Sequence, residues 1–187
     1  MPSIVFYFLI NLMKLVYKLE DKLFWIHNFL PNHEYKRIHN EIFKERKKLN
    51  YQNSSKTWQK SLTNNLTPPS RLDIDPSYFN FYKTLLLHQP FIKINNKNIN
   101  FIIHGMSNNS GINWHDDGHI GYGVTYYINK RWNLNWGGEF MFKHNGNHGY
   151  IPVVGNSLVI IKTPMLHKVN TVLSPIISRL SIQSFIK

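Results

Sequence analysis

The spacing of apolar residues changes near position 100. Upstream of it, Tyr35, Ile38, Ile42 and Leu49 recur at helical intervals. They predict a helix that starts at Asn32, which is able to cap it, with Glu34 in the first turn where the helix dipole favours an acid. Phe79, Tyr82, Leu85 and Leu86 predict a second, shorter helix over 78–88. Residues 22–29 read as a strand entering a turn at Leu30-Pro31, and the polar stretch 51–77, broken by Pro68-Pro69, reads as a loop. Downstream, short β-rich runs are punctuated by Gly, Asn and Pro: 101–106, 122–129, 139–143, 150–153, 157–161, 167–173 and 178–185. That rhythm predicts a sandwich or barrel. The fold class is mainly β with flanking helices. Residues 14–187 form a single domain, in which 14–100 is helical support and 101–187 a β-barrel core.

The run 4–13 is apolar apart from Asn11. It falls short of the roughly 20 residues a membrane-spanning helix needs and lacks a small-residue cleavage site. Three readings stand for residues 1–13: a segment packed on the core, a membrane-facing anchor, or an artefact if translation begins at Met13. The packed segment is preferred.

Composition narrows the chemistry. With 187 residues, 42% hydrophobic and 14% aromatic, the chain can bury a core. It has no cysteine, which excludes disulfides, thiolate zinc sites, a cysteine nucleophile and iron–sulfur clusters. That absence favours a cytoplasmic setting. The 22 Lys+Arg against 10 Asp+Glu leave a formal net charge of +12, which suits polyanions such as nucleic acid. The basic residues are scattered, however, among text rich in Asn, Lys and Ile such as 95–100, so a coding bias accounts for the charge better than a binding face does.

The densest polar cluster is Trp114-His115-Asp116-Asp117-Gly118. On an extended segment, residues i and i+2 share a face, so His115 and Asp117 point together while Asp116 points away. In a chain with ten histidines, one His-x-Asp is weak and reads equally well as a solvated turn. His167, on a later strand, would supply a third ligand. Two histidines and a carboxylate on one face of a metal suit ferrous iron in oxygen chemistry. Arg179 follows on an alternating strand, with Ser181, Gln183 and Phe185 on its side. A guanidinium in an apolar strand needs an anion unless it sits at a surface edge. Thr125 and Tyr127 carry hydroxyls on a shared face of another strand.

In this order and spacing the text resembles the iron- and 2-oxoglutarate-dependent oxygenases, and within them the prolyl 4-hydroxylase-like branch. The matching stretches are Trp114 to Gly118, Tyr126 to Trp132, Trp136 to Glu139, Leu158 to Ile160, His167 to Val169 and Arg179 to Gln183. The resemblance implies a double-stranded β-helix of jelly-roll (cupin-like) type, with helices against its major sheet. It implies Fe(II) on His115, Asp117 and His167, with 2-oxoglutarate held by Arg179 and Tyr127, and Thr125 and Ser181 in the pocket wall. Ascorbate is an admissible auxiliary. The activity implied is dioxygenase hydroxylation of an unactivated C–H bond, on a prolyl or other side chain of a peptide or protein, with a small-molecule substrate left open, and with succinate and CO2 as coproducts. Asp117 points to hydroxylation, since halogenating relatives replace that carboxylate. The family's tyrosine before the first ligand is missing, and His104 stands in that stretch. Two alternatives remain: oxidative nucleic-acid modification, disfavoured because Phe185 stands where that branch has a second arginine, and a non-catalytic jelly-roll binding module.

Overall fold

A computed structural model describes residues 13–46, 60–72, 74–94 and 98–187. The apolar run before Met13, the expected end of the first helix at Leu49 and the start of the expected loop, 51–59, lie outside the described residues.

Eleven strands among the described residues form two antiparallel sheets. In chain order they are β1 (Lys14–Leu19), β2 (Leu23–His27), β3 (Ser70–Leu72), β4 (Ile99–Met106), β5 (Ile112–His115) and β6 (Tyr122–Tyr127). Then follow β7 (Phe140–His144), β8 (Asn147–Ile151), β9 (Ser157–Lys162), β10 (Leu166–Val169) and β11 (Arg179–Ile186). The larger sheet runs β1-β2-β9-β6-β11-β4-β3 and the smaller β5-β10-β7-β8. The helices are α1 (Asn32–Glu45), α2 (Lys60–Thr63) and α3 (Asn80–Leu87).

Side-chain alternation builds the layers. On β9, Leu158 and Ile160 face the helices, where they meet Ile38 and Ile42 of α1 and Tyr82, Leu85 and Leu86 of α3. Val159 and Ile161 face the other way, into a second cluster with Tyr127, Phe140 and Phe142 between the sheets. Burying both faces of a strand removes the polar half of the usual alternation, and β9 accordingly reads as an almost unbroken apolar run.

Four expectations need correction. The expected barrel is not closed: β1 and β3 end the larger sheet, β5 and β8 the smaller, and among the described residues no ladder joins one sheet to the other. Residues 14–100 are not helical support alone, because β1, β2 and β3 belong to the larger sheet. β1 carries no clear apolar alternation because it is exposed along nearly its whole length; β3 and α2 are short elements inside the polar stretch expected to be loop. Asn32 is the first helical residue of α1, not its cap: Pro31 holds the cap position and no side chain caps the helix. Glu34 instead pairs with Arg37 at 2.8 Å, and Arg37 reaches on to the Tyr78 carbonyl just before α3. Among the described residues, no helix is long and apolar enough to cross a membrane.

Candidate metal centre

The smaller sheet brings the first ligand pair and the later histidine together by strand register. His115 ends β5 and lies directly opposite His167 on β10, their ring centroids 4.3 Å apart. Asp117 follows β5 and turns inward. Asp116 turns away, its Oδ1 accepting from the Gly118 N–H at 2.8 Å. Asp117 reaches this position because β6 has a glycine beneath it: a Cβ on Gly123 would lie 3.0 Å from Asp117 Oδ2. A glycine inside a strand often marks such a close approach, but nothing in the residues around Gly123 announces which side chain it admits.

The hydrogen bonds define which nitrogen each imidazole presents. His115 Nδ1 donates to the Asn113 carbonyl at 2.7 Å and His167 Nδ1 to the Met165 carbonyl at 2.8 Å. A carbonyl can only accept, so both Nδ1 atoms carry protons and both Nε2 lone pairs face Asp117. The Nε2 atoms lie 3.8 and 3.7 Å from its two oxygens, too far for hydrogen bonds. All three donor groups fall within 4.8 Å of one another. Two lone pairs and a carboxylate that converge without bonding one another form a donor set suited to a cation. Burial holds the His167 imidazole below its ordinary pKa; His115 adds to this and Asp117 opposes it. The neutral, ligand-competent form is thereby favoured. Phe140 stacks on His167, centroid to centroid 5.2 Å.

From this cluster the pocket runs along the inner face of β6 and β11. Two facing pairs line it, Gly123 with Phe185 and Thr125 with Gln183, and the ladder continues past the cavity to Tyr127 with Ser181. Thr125 Oγ1 donates to Gln183 Oε1 at 2.6 Å across the ladder, and both residues line the cavity together with Phe185, His104 and the metal cluster. Strand alternation alone gives Gln183 a face but no role; its bond to Thr125 supplies one. Beyond this pair lies Arg179, 0% exposed on a strand with neighbours on both sides, which excludes the reading of a surface arginine on an edge.

Arg179 has few partners for so deep a charge. Its Nη1 donates to Ser181 Oγ at 3.2 Å and to the Met106 sulfur at 3.5 Å. Nε, Nη2 and the Tyr127 hydroxyl have none. Ser181 thus orients the guanidinium and does not line the open cavity. The guanidinium carbon sits 4.9 Å from the Tyr127 ring centroid. Burial pushes the Tyr127 hydroxyl pKa up, partly offset by the adjacent Arg179 charge. A buried guanidinium with two unmet donor atoms is costly unless an anion meets it. The backbone around it is clamped: Asn129 Oδ1 accepts from the Leu180 N–H at 2.6 Å while its Nδ2 donates to the Ser178 carbonyl. Gly138, at φ +77°, leaves room for the side chain, since a Cβ there would lie 2.8 Å from Arg179 Cδ. His104, on β4 opposite Ser181, is buried with its imidazole pushed down to about 3, chiefly by burial and further by the charges of Arg179 and Arg71. It is neutral and lines the cavity.

A two-sheet β-helix with a His-Asp-His donor set in its pocket and a buried, under-bonded arginine beyond the pocket wall on β11 suits the non-haem iron oxygenases. Residues 101–187 match the family model of the 2OG-Fe(II) oxygenase superfamily. That stretch holds His115, Asp117, His167 and Arg179, and the match supports a 2-oxoglutarate-dependent dioxygenase, with Fe(II) and 2-oxoglutarate as the implied cofactors. No curated relative matches the sequence. Among solved structures, a Pseudomonas putida prolyl-4-hydroxylase superposes with a TM-score of 0.67 at 15% identity, over 89% of this chain and 92% of that one. A prolyl hydroxylase from Trichoplax adhaerens, in complex with a hypoxia inducible factor oxygen degradation domain peptide fragment, gives 0.67 at 14% identity over 89% and 83%. The non-haem α-ketoglutarate-dependent epimerase SnoN of nogalamycin biosynthesis gives 0.65 at 9% over 89% and 78%. At these identities the likeness is one of fold.

Proposed function

We propose that the protein hydroxylates an unactivated C–H bond of a prolyl or similar side chain in a peptide, with His115, Asp117 and His167 as iron ligands and Arg179 as the anchor of 2-oxoglutarate. The carrying observation is the pairing of a converging His-Asp-His donor set with a buried, under-bonded guanidinium at the far end of one strand ladder. When bound, Fe(II) and 2-oxoglutarate supply the oxidising power for O2-dependent hydroxylation, with succinate and CO2 as coproducts. His115 and His167 present Nε2 because their Nδ1 protons are engaged by carbonyls. Arg179 offers a planar fork to a carboxylate, Ser181 holds that fork in place, and the Tyr127 hydroxyl supplies a further donor. Thr125 with Gln183 forms the wall between the two ends, while Phe140, Val159 and Ile161 keep it dry. The formal charges close: two on the metal and one on Arg179 balance one on Asp117 and two on the cosubstrate, a set the interior tolerates better than its unpaired members. Similarity in fold to two prolyl hydroxylases supports a peptide substrate, while SnoN cautions that fold alone does not choose the reaction.

Anaerobic titration with Fe(II) and then 2-oxoglutarate should develop a weak visible charge-transfer band, and air should then trigger succinate formation. A protein that binds iron but never develops the band or consumes 2-oxoglutarate overturns the proposal.

A further inference from the structure

The smaller sheet turns one face to the donor cluster and the other to solvent. Lys168 alternates with buried His167 and Val169, and Lys143 follows buried Phe142, so both lysines point outward. The Trp114 indole lies with them, its centroid 4.5 Å from Lys143 Nζ and 5.6 Å from Lys168 Nζ. Met141 is paired with both Lys168 and Tyr150 and shares this face. Tyr150 is 67% and Leu166 40% exposed. None of the four strands carries an Asp or Glu; Asp116, just past β5, is engaged by the Gly118 N–H, and Glu139, just before β7, by the Asn170 side-chain amide. Among the described residues, helical side chains pack on the larger sheet or, as Leu62 of α2 does, with Ile112 and Val169. None of the described helices covers the outer face.

Two ammonium groups bracketing one indole gain cation–π attraction but repel each other. A carboxylate laid between them would relieve that repulsion. We infer that this face is a docking surface for an acidic polypeptide segment of the substrate, an inference that rests on the hydroxylase reading above. Trp114 precedes His115 and Lys168 follows His167, so the face lies across the sheet from the donor cluster, and a chain docked here reaches the pocket round β5, the edge strand. A chain held here lies directly behind the metal ligands. Single-stranded nucleic acid, the other polyanion the net charge would suit, binds by stacking bases on open aromatic faces. The lysines crowd the Trp114 ring and work against such stacking, whereas an acidic chain needs only the ammonium groups, with Leu166, Met141 and Tyr150 to receive its apolar side chains.

Fluorescence anisotropy on the intact protein tests this with three labelled probes: a Glu/Leu peptide, its Gln/Leu counterpart and an oligo-dT of similar length. The Glu/Leu peptide is expected to bind in a salt-sensitive manner and the Gln/Leu peptide not to bind. The double variant K143Q/K168Q should weaken binding about tenfold or more, while K143R/K168R keeps it. Single K143Q and K168Q variants, each expected to lose about threefold, serve if the double variant does not fold. Wild-type affinity in the glutamine variants, or tighter binding of oligo-dT through the same lysines, overturns the inference. Peptide-independent 2-oxoglutarate consumption, measured in parallel, separates the two readings. It should be unchanged in the lysine variants. If wild-type protein binds the peptide yet consumes no 2-oxoglutarate, the hydroxylase reading fails; if it consumes 2-oxoglutarate yet ignores the peptide, only the docking surface fails.

Discussion

At one end of the β6–β11 ladder, His115, Asp117 and His167 come from two short strands and a turn of the smaller sheet, with side chains 14%, 17% and 8% exposed. The two imidazoles are each oriented by a single hydrogen bond to a carbonyl two residues away. At the other end, Arg179 stands at the head of a central strand of the larger sheet, fully buried, with Asn129 clamping the backbone on both sides of it. The first end is a local arrangement whose donor set is suited to a cation, and the second is part of the core. Metal affinity should therefore respond to single ligand changes with little cost to the fold. Changes around Arg179 should register in cosubstrate affinity and in stability together.

The largest effect is expected from Asp117→Ala. Fe(II) affinity should fall about a hundredfold or more and 2-oxoglutarate consumption should drop to background, with the metal-free thermal midpoint nearly unchanged. Isothermal titration and calorimetry check this, and retained iron affinity would break the account of the metal end. Next, Arg179→Met should weaken 2-oxoglutarate by about 2–5 kcal/mol while Fe(II) affinity stays. Its cosubstrate-free stability should hold or rise, because an unpaired buried charge has been removed. Parallel loss of both affinities would dissolve the distinction between the ends.

Acid should attack the guanidinium end through His104. Its imidazole titrates at about 3 in the fold against 6.5 for the free side chain, so between these values the unfolded chain binds the extra proton. Stability is then lost as pH falls below 6.5, by about 3 kcal/mol at pH 4. Urea midpoints across that range should show the slope, and His104→Gln should flatten it; an unchanged slope would assign the loss to other groups. The smallest effect is expected from Gly138→Ala, at about 1–3 kcal/mol. The new Cβ meets Arg179 Cδ at positive φ, so thermal melts should show destabilisation together with weaker 2-oxoglutarate binding. Lower stability with unaltered 2-oxoglutarate affinity would detach Gly138 from the anchor.

The two ends also differ in how legible they are in the sequence. His115, Asp117 and His167 are readable because a two-residue step on extended chain puts side chains on one face, and because a later histidine stands at a strand start. Arg179 is readable as an anomaly, a permanent charge in an apolar strand. What stays hidden depends on contacts between distant segments. Gly123 matters only because Asp117 lies over it, Gly138 only because Arg179 passes it, and Gln183 only because Thr125 faces it. β1 lacks a buried face to mark it, and β3 is too short to show any period. The closed barrel is an expectation from strand rhythm alone, which reports how many strands there are but not whether their outer members pair.

The position of β11 has a consequence for biosynthesis. β4 and β6 are joined only through β11, which is the last of the described strands to leave the ribosome. Until it emerges, both earlier strands carry unpaired backbone and uncovered apolar side chains, a condition that invites aggregation and engages chaperones. A premature stop ahead of Arg179 would therefore yield a chain unable to assemble its larger sheet, not an enzyme deficient only in its cosubstrate.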